Sequence, residues 1–341
     1  MPGSMTRAAD QAATAISWAG ARVLVAGGLG FIGARLACRL VTLGAVVTVV
    51  DILEPRAGGN AANVAGIRDR ATIHIGDIGD DRLLREVLPG CEVVFNLAGQ
   101  TGHLASMVAP LQDLDANCRA PLALLEACRT LAPRATVVYA STRQVYGRPL
   151  SLPVDEGHPV APVDVNGVHK AAAETYHGLY CEVHGLDTRV LRLTNTYGPG
   201  MRVKDSQQNF LGLWLRLALE GRPIDLWGGD QRRDFSYVDD VVQALLLAAR
   251  VPAGAGRTFN VGGCPPVSLR ELADQLLALS GGGGGVTVSP FPQERERIDI
   301  GHYYTDDRLF RALTGWTPRT SLAEGLAATL DYYRTALPLY L

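Results

Sequence analysis

A glycine-rich turn near the start of the chain restricts its fold more than any other feature. The turn reads GGLGFIG over residues 27–33 and connects a short β-branched run, residues 22–26, to an amphipathic segment of helical period. Gly27 permits a tight turn, Gly30 lets a bound phosphate approach the backbone at the helix N-terminus, and Gly33 lets the helix pack closely on the strand. The pattern predicts the strand, turn and helix of a dinucleotide-binding unit, with an ordinary strand-to-helix turn as the alternative.

Short apolar runs alternate with longer amphipathic segments up to about residue 200. Strands are predicted at residues 22–26, 46–50, 71–75, 92–97, 135–140 and 188–194, and helices at residues 31–43, 81–87, 111–131 and 167–183. The short runs are almost continuously apolar, as buried parallel strands are. Alternation of this kind predicts an α/β fold built on a doubly wound parallel sheet.

The pattern loosens beyond about residue 200. Helices are predicted there at residues 209–220, 238–249, 268–279 and 322–334, and strands at residues 224–226 and 258–261. We therefore predict a disordered leader over residues 1–20, a dinucleotide-binding Rossmann domain over residues 21–200, and a smaller mixed α/β region over residues 201–341 that mainly binds substrate.

Composition excludes several classes of protein. The 341 residues are 47% hydrophobic and 19% charged, and no apolar run approaches the roughly 20 residues that a helix needs to cross a bilayer, so no membrane contact is expected. The formal net charge of −2 gives no general attraction to nucleic acid. The six cysteines show no CxxC spacing, which favours reduced thiols and a cytoplasmic location over disulfides or zinc.

Asp51 completes the dinucleotide pattern at the end of the second predicted strand. In a dinucleotide-binding unit, an acidic residue at this place accepts hydrogen bonds from the hydroxyls of the adenosine ribose. Its negative charge repels a 2′-phosphate. The sequence therefore predicts NAD rather than NADP as the cofactor.

Two further segments carry the chemistry. Residues 138–147 read VYASTRQVYG after a predicted strand, and residues 163–174 read VDVNGVHKAAAE at the start of a predicted helix. Together with the glycine-rich turn and Asp51, these segments resemble the extended short-chain dehydrogenase/reductases that remodel nucleotide sugars, the NAD-dependent epimerase/dehydratase family. The resemblance covers about residues 20–335. It implies tightly held NAD, a nucleoside-diphosphate sugar as substrate, transient oxidation of a sugar hydroxyl, and often a homodimer.

The resemblance also implies which residues bind the ligands. Cofactor contacts are expected from Gly27, Gly30, Phe31, Ile32, Gly33, Asp51, Ile52, Asp77, Ile78, Ala98, Gly99, Gln100, Asn117, Lys170 and Leu193. Substrate contacts are expected from Ser106, Arg143, Gln144, Asn195, Asn209, Trp227, Arg233 and Arg297. A structural role explains Asn117 equally well, and an exposed charged run explains Arg297 equally well.

The catalytic segment departs from the family at one position. The family carries Tyr four residues before its catalytic Lys and uses the phenol as general base, but in this chain Asn166 precedes Lys170 at that spacing. Thr142 stands at the position of the catalytic hydroxyl, and Lys170 at that of the lysine that anchors the nicotinamide ribose. Because an amide does not titrate in the useful range, Asn166 can orient a hydroxyl but cannot carry its proton away.

Three groups are candidates to replace the phenol. His169 precedes Lys170 and can titrate near neutral pH, although adjacent helical residues point about 100° apart. His103 lies on the loop that flanks the sugar in the family. Thr142, linked through water to Lys170, is the third candidate.

The two residues after Thr142 bear on the type of reaction. In the 4,6-dehydratase branch of the family an Asp-Glu pair typically stands there and performs the elimination, whereas this chain has Arg143 and Gln144. The leading prediction is therefore an NAD-dependent nucleotide-sugar epimerase. A dehydratase or decarboxylase that uses another base is the second, and a sugar-nucleotide binding protein that has lost catalysis is the alternative from another class.

Overall fold

The computed structural model describes residues 17–54, 57–206, 208–263 and 265–341. Most of the predicted leader, residues 1–16, lies outside this part of the chain. Trp18 is buried, and its ring centre lies 6.2 Å from that of Phe95 in the core. The folded core therefore begins before residue 21, the predicted boundary.

The described chain alternates strands and helices. The strands are β1 (Arg22–Ala26), β2 (Val46–Asp51), β3 (Ala71–Ile75), β4 (Val93–Asn96), β5 (Thr136–Thr142), β6 (Thr188–Leu193), β7 (Asn195–Tyr197), β8 (Ile224–Trp227), β9 (Arg232–Arg233), β10 (Phe235–Tyr237), β11 (Thr258–Val261), β12 (Val267–Ser268) and β13 (Val286–Ser289). The helices are α1 (Phe31–Thr42), α2 (Asp81–Val87), α3 (His103–Val108), α4 (Pro110–Leu114), α5 (Ala120–Leu131), α6 (Val165–His184), α7 (Phe210–Leu219), α8 (Val238–Ala248), α9 (Leu269–Ser280), α10 (Gln293–Glu296), α11 (Arg308–Thr314) and α12 (Leu322–Ala336). Among these helices, none combines the length and the apolar character that crossing a membrane requires.

Seven strands of the described chain form the central sheet, in the order β11-β6-β5-β4-β1-β2-β3. All neighbours in it are parallel, which confirms the predicted α/β fold with a doubly wound sheet. The strand order reverses between β1 and β4. In folds of this type, ligands bind in the crevice outside the carboxyl ends of the strands at such a reversal. Gly27 after β1 and Leu97 after β4 therefore border the expected site.

The chain beyond residue 200 contributes to both regions of the molecule. β11 extends the central sheet beside β6, and α8 packs against α1. The remaining helices α7, α9 and α12 enclose a second apolar core that includes Leu215, Leu272 and Leu330. Residues 201–341, the predicted substrate region, therefore form the second core and also supply one strand of the central sheet.

One predicted helix, residues 111–131, is divided in the structure. A turn of π-helix, Asp115–Arg119, separates α4 from α5. Such turns often occur at functional sites because they displace side chains from the regular helical positions. In this protein the π turn carries the buried Asn117, whose side chain holds both backbone polar groups of Gln100.

A buried ion pair joins α6 to the central sheet. Nη2 of Arg192 on β6 lies 2.5 Å from Oε2 of Glu174, and its Nε lies 3.0 Å from both carboxylate oxygens. Ser141 on β5 donates a further hydrogen bond of 2.5 Å to the same carboxylate. This network holds α6, and with it Lys170 one turn earlier, against the strands.

Glu174→Ala is expected to lower the free energy of unfolding by roughly 3–5 kcal/mol, because it leaves the Arg192 cation buried without its partner. Chemical denaturation followed by circular dichroism measures the loss. The matched control is Asp274→Ala, which removes the exposed i,i+4 partner of Arg270 and is expected to cost less than about 1 kcal/mol. Equal losses in the two variants would contradict the stabilising role of the buried pair.

Candidate active site

Steric limits at the glycine-rich turn agree with the sequence prediction. Gly27 has a φ of +76°, and a Cβ there would lie 2.6 Å from the backbone nitrogen of Ala98. A Cβ on Gly33 would lie 2.2 Å from the carbonyl oxygen of Gly27. At Gly30 the nearest atom would be 3.2 Å away, and this residue lines an open cavity. The N-terminus of α1 therefore presents its first-turn N–H groups to a space that fits a pyrophosphate.

Asp51 ends β2 as predicted, and the chain itself uses its carboxylate. Oδ2 accepts a hydrogen bond of 2.9 Å from the N–H of Leu29, and Oδ1 accepts one of 2.8 Å from the N–H of Leu53. Because each carboxylate oxygen can accept more than one hydrogen bond, contact with ribose hydroxyls stays a prediction. Its neighbour Ile52 is exposed, while Ile78 is buried in the core.

A cavity of about 630 Å³ lies at the carboxyl ends of the central strands, a size typical of ligand sites. The predicted site residues that line it are Gly27, Gly30, Phe31, Ile32, Gly33, Gly99, His103, Thr142, Arg143, Asn166, Lys170, Leu193, Asn195 and Asn209. Within the described chain, the predicted site residues outside its wall are Asp51, Ile52, Asp77, Ile78, Ala98, Gln100, Ser106, Asn117, Gln144, His169, Trp227, Arg233 and Arg297. The cavity thus collects the glycine-rich turn, the catalytic segment and part of the substrate segment in one place.

Lys170 reaches the cavity from the first turns of α6. Its Nζ donates a hydrogen bond of 3.1 Å to the carbonyl oxygen of Ala140 and lies 4.8 Å from the ring centre of Tyr139. Burial lowers the pKa of Lys170 to about 8, against the attraction of the carboxylates of Asp113 and Glu174. Burial thus brings the titration of this ammonium closer to neutral pH.

Asn166 lines the cavity, but the chain uses both hydrogens of its amide nitrogen. Nδ2 donates to the carbonyl oxygen of Gln100 at 2.8 Å and to Oδ2 of Asp113 at 3.1 Å. Because a carbonyl and a carboxylate only accept, these partners determine which way the amide points. The amide oxygen, which faces away from them, is left to accept a hydrogen bond from a ligand.

His103 begins α3 and lines the cavity together with Thr142. Its Nδ1 lies 3.0 Å from Oδ2 of Asp164, an ion-pair distance, although the two atoms are not aligned for a straight hydrogen bond. Burial by itself raises the pKa of Asp164, but the interactions with His103, Gly167 and Gln144 together outweigh it and hold that pKa below its usual value. Asp164 is fixed in turn by the N–H of Gly167 at 2.7 Å and the amide of Gln144 at 2.8 Å. The ionised carboxylate of Asp164 is therefore held in a fixed position beside the imidazole of His103.

His169 faces a different carboxylate. Its Nδ1 lies 2.8 Å from Oδ1 of Asp113, whose other oxygen receives the amide of Asn166. Both members of this pair are largely buried, and His169 is not part of the cavity wall in the described chain. Of the two candidate histidines, His103 is therefore the one that the fold brings to the cavity.

Two predicted ligand contacts support the loop after β4 instead. Asn117 both donates to and accepts from the backbone of Gln100, each at 3.1 Å. Ser106 donates to the carbonyl oxygen of His103 at 2.7 Å and accepts from the N–H of Asn166 at 3.2 Å. Since both side chains are buried, these bonds position the loop that carries His103 rather than wall the cavity.

The substrate side differs from the prediction at one arginine. Arg297 is exposed and outside the cavity wall, whereas Arg295 in the same charged run lines the cavity. Arg295 lies in α10, a single helical turn, and Arg297 follows its last residue. Helical positions two apart point to nearly opposite sides, so the two side chains face different ways. Arg295 therefore replaces Arg297 as the candidate contact.

Two other predicted substrate residues lie outside the cavity wall. Arg233 is buried, donates to the carbonyl oxygen of Gly301 and pairs with Asp299 at 3.3 Å. Trp227 is half-buried, with the guanidinium carbon of Arg295 at 5.3 Å from its ring centre. Contact of Arg233 with a diphosphate and of Trp227 with a base stays a prediction.

Asp113 and Asp164 were not predicted from the sequence. Asp164 had a local signal, because an Asp three residues before Gly167 at the start of a helical pattern is typical of an N-cap. Asp113 had none, because its partners Asn166 and His169 lie 53 and 56 residues further along the chain.

The fold and the cavity define a class of protein. A doubly wound sheet, a glycine-rich turn at its strand-order reversal and a buried lysine in the same cavity wall are the parts of a dinucleotide-dependent enzyme.

Known proteins narrow this class to a family. The family model described as "NAD dependent epimerase/dehydratase family" matches residues 23–262. The chain is 34% identical over 319 residues to the UDP-glucose 4-epimerase of Mycolicibacterium smegmatis, which covers 92% of this chain and 98% of that protein. It is 30% identical over 325 residues to UDP-glucuronic acid decarboxylase 1 of Xenopus tropicalis, covering 93% of this chain and 73% of that protein. The dTDP-glucose 4,6-dehydratase DesIV of Streptomyces venezuelae, solved with NAD bound, superimposes with a TM-score of 0.85 at 28% identity, covering 93% of this chain and 99% of that one.

The chain therefore belongs to the NAD-dependent epimerase/dehydratase family, and its cofactor is NAD. The named relatives carry out three different reactions. Membership establishes an enzyme family that acts on nucleotide sugars with NAD and leaves the particular reaction open.

Proposed function

We propose that this protein is an NAD-dependent epimerase of a nucleoside-diphosphate sugar, which works through a transient keto sugar and uses His103 in place of the phenol as proton acceptor. The observation that supports this most is the shared cavity wall. His103, Thr142 and Lys170 face the same space as the glycine-rich turn, so a sugar held there lies within reach of a base, a hydroxyl and a cation.

Thr142 and Asn166 orient the sugar in this proposal. Oγ1 of Thr142 accepts a hydrogen bond of 3.2 Å from the N–H of Gln144, which leaves the hydroxyl proton of Thr142 to donate to the reacting oxygen. The amide oxygen of Asn166 accepts a neighbouring sugar hydroxyl. Together the two side chains fix the sugar relative to His103, and such positioning supplies a large part of enzymatic rate acceleration.

His103 takes the hydroxyl proton while the C–H bond of the same carbon breaks. NAD, when bound, would supply the acceptor for the hydride that leaves this carbon and the donor that returns it to the opposite face of the keto sugar. His103 then gives the proton back to the oxygen, so that the product differs from the substrate in configuration alone. Asp164 holds the imidazole and stabilises its charged form. The ammonium of Lys170 stabilises negative charge that develops on the oxygen.

A dehydratase and a decarboxylase are the second candidates. Elimination of water needs an acid and a base beside the carbons that react, but Arg143 and Gln144 stand where the acidic pair would be, and the amide of Gln144 is bound to Asp164. Decarboxylation follows once a keto group forms next to the carbon that bears the carboxylate, because the keto group accepts the electrons of the bond that breaks, and one relative is named as a UDP-glucuronic acid decarboxylase. The alternative from another class is a sugar-nucleotide binding protein without catalysis, against which the buried Lys170 in the cavity wall argues.

A nucleotide sugar labelled with deuterium at the carbinol carbon tests the reaction. The NAD-loaded protein is incubated with labelled hexoses and uronates, and the products are read by NMR and mass spectrometry. An epimerase returns the label to the same carbon with inverted configuration and unchanged mass. Loss of the mass of water or of carbon dioxide would establish the dehydratase or the decarboxylase instead. Binding of NAD and sugar without turnover of any substrate would contradict the enzyme.

We also propose a homodimer in the cytoplasm. The helices α4 and α6 pack together and carry large apolar side chains that are more than a third exposed, namely Leu111, Leu114, Val168, Leu179 and Val183. Exposed apolar side chains grouped on two packed helices are typical of a protein interface. The proposed location is supported by the five cysteines of the described chain, all of which are free.

A further inference from the structure

Arg143 is a partly buried cation in the cavity wall. It follows Thr142 at the end of β5, and its Nη2 donates a hydrogen bond of 3.0 Å to Oδ1 of Asn195. Its guanidinium carbon lies 5.2 Å from the ring centre of Tyr303. The other terminal nitrogen, Nη1, is buried without a hydrogen-bond partner among the described residues. An orphaned buried donor is uncommon in native proteins, and its position in a cavity wall indicates that a ligand supplies the acceptor.

The carboxylates around Arg143 do not pair with it directly. Asp299 pairs with Arg233 at 3.3 Å, and Asp164 pairs with the imidazole described above at 3.0 Å. One oxygen of Asp234 accepts hydrogen bonds from two backbone N–H groups at 3.0 and 3.4 Å, and its other oxygen is buried without a hydrogen-bond partner among the described residues. Across the described ranges, no carboxylate lies within ion-pair distance of Arg143. Burial lowers the pKa of its guanidinium, since a cation without a direct partner is costly away from water.

The position of Arg143 points to the sugar rather than the nucleotide. Consecutive Cα atoms are about 3.8 Å apart, so Arg143 is the immediate neighbour of Thr142, the hydroxyl assigned to the reacting oxygen. Arg202 and Arg295 also line the cavity but come from segments beyond β7, together with Asn209. In the assignment made below, these two face the nucleotide and its diphosphate, and Arg143 faces a charge on the sugar.

We propose that Arg143 binds the carboxylate of a uronic acid, so that the preferred substrate is a nucleoside-diphosphate uronate. This inference rests on the proposed function only for the presence of a nucleotide sugar in the cavity. A guanidinium binds a carboxylate through parallel hydrogen bonds in one plane. Asn195, whose Nδ2 donates 3.0 Å to the carbonyl oxygen of Asp234, holds that plane in place before the ligand arrives. A neutral hexose offers a hydroxyl group instead and leaves the cation uncompensated.

Calorimetric titration of the NAD-loaded full chain tests the proposal without requiring turnover. The probes are UDP-glucuronate, UDP-glucose and UDP. The corresponding dTDP compounds are titrated in parallel, and uronate is compared with hexose within each series, so a preference for one base does not affect the ratio. The unaltered protein is expected to bind the uronate about 10- to 100-fold more tightly than the hexose, the usual range for a hydrogen-bonded charged partner. Arg143→Gln is expected to remove this preference and to leave the affinity for the hexose within about threefold. The matched control, Arg295→Gln, is expected to weaken both sugars by the same factor.

Three results would overturn the proposal. Equal affinity of the unaltered protein for uronate and hexose would do so without any variant. Equal weakening of uronate, hexose and UDP by Arg143→Gln would assign Arg143 to the diphosphate. Unchanged affinities with a lower melting temperature would make Arg143 the structural partner of Asp234. If Arg143→Gln does not fold, Arg143→Lys retains the charge without the planar fork and is expected to keep only part of the preference. A uronate preference without turnover would contradict the proposed epimerase and leave this inference standing.

Discussion

Lys170→Ala is expected to abolish measurable turnover while the protein stays folded. Loss of one preorganised group that stabilises developing charge costs roughly 10²–10³ in kcat, and this variant also removes the group that is predicted to anchor the nicotinamide ribose. In the unaltered protein, kcat/KM is expected to fall as the pH rises through about 8, the pKa to which burial lowers Lys170. The sign follows from the charged form being the active one, since the neutral amine cannot stabilise an oxyanion.

The sequence provides a matched control for this prediction in Lys204, its other lysine, which is exposed and outside the cavity wall. Lys204→Ala is expected to keep kcat within about twofold, as surface substitutions usually do. Steady-state rates, NAD content and thermal unfolding are measured on both variants. Turnover of Lys170→Ala within tenfold of the unaltered protein would contradict the catalytic role of this residue.

His103→Ala is expected to lower kcat by about 10²–10⁴, the range that general acid–base catalysis supplies, with a much smaller effect on nucleotide-sugar affinity. Partial rescue by added imidazole is expected, since the free base can enter the space left by the side chain. Asp164→Asn removes the carboxylate that positions His103. Its kcat is expected to fall less, because the imidazole stays in the cavity wall but loses the carboxylate that holds it.

His169→Ala distinguishes the role of His169 from that of His103. Its ring contacts Asp113 and not the cavity, so the expected effect is on stability, about 1–3 kcal/mol for a buried carboxylate that loses a hydrogen-bond partner. The expected change in kcat is less than about tenfold. Equal kcat values for the His103 and His169 variants would contradict the assignment of His103. Near-native activity of both would exclude either histidine as the replacement base.

The strands that carry the site were predictable because their signals are local. β1 begins and ends at the predicted residues 22–26, and β3 at 71–75, since a short apolar run bounded by turn residues indicates a strand without further context. The two-residue strands β9 and β12 pair with each other across the chain, and no local pattern indicates such a pairing. The prediction of a single helix over residues 111–131 missed a π turn. One extra residue in a turn changes the spacing of apolar residues too little to be recognised in the sequence.

Some site residues could likewise be predicted from local sequence, and others could not. Gly27 and Gly33 were predictable because the turn itself forbids a Cβ at both. The choice of Arg295 over Arg297 was not, because both lie in one charged run and the orientation of α10 decides which faces the cavity.

By itself, the sequence determined the family, the NAD-binding turn and the presence of Asn166, rather than a Tyr, four residues before Lys170. These properties belong to short contiguous segments, whose backbone requirements and chemistry can be read without knowledge of the rest of the chain. The tertiary structure decided that His103, backed by Asp164, shares the cavity with Lys170, while His169 is bound elsewhere. The sequence cannot decide this, because a side chain's direction and its partner depend on how distant segments pack, and a few ångströms separate a base from a structural histidine.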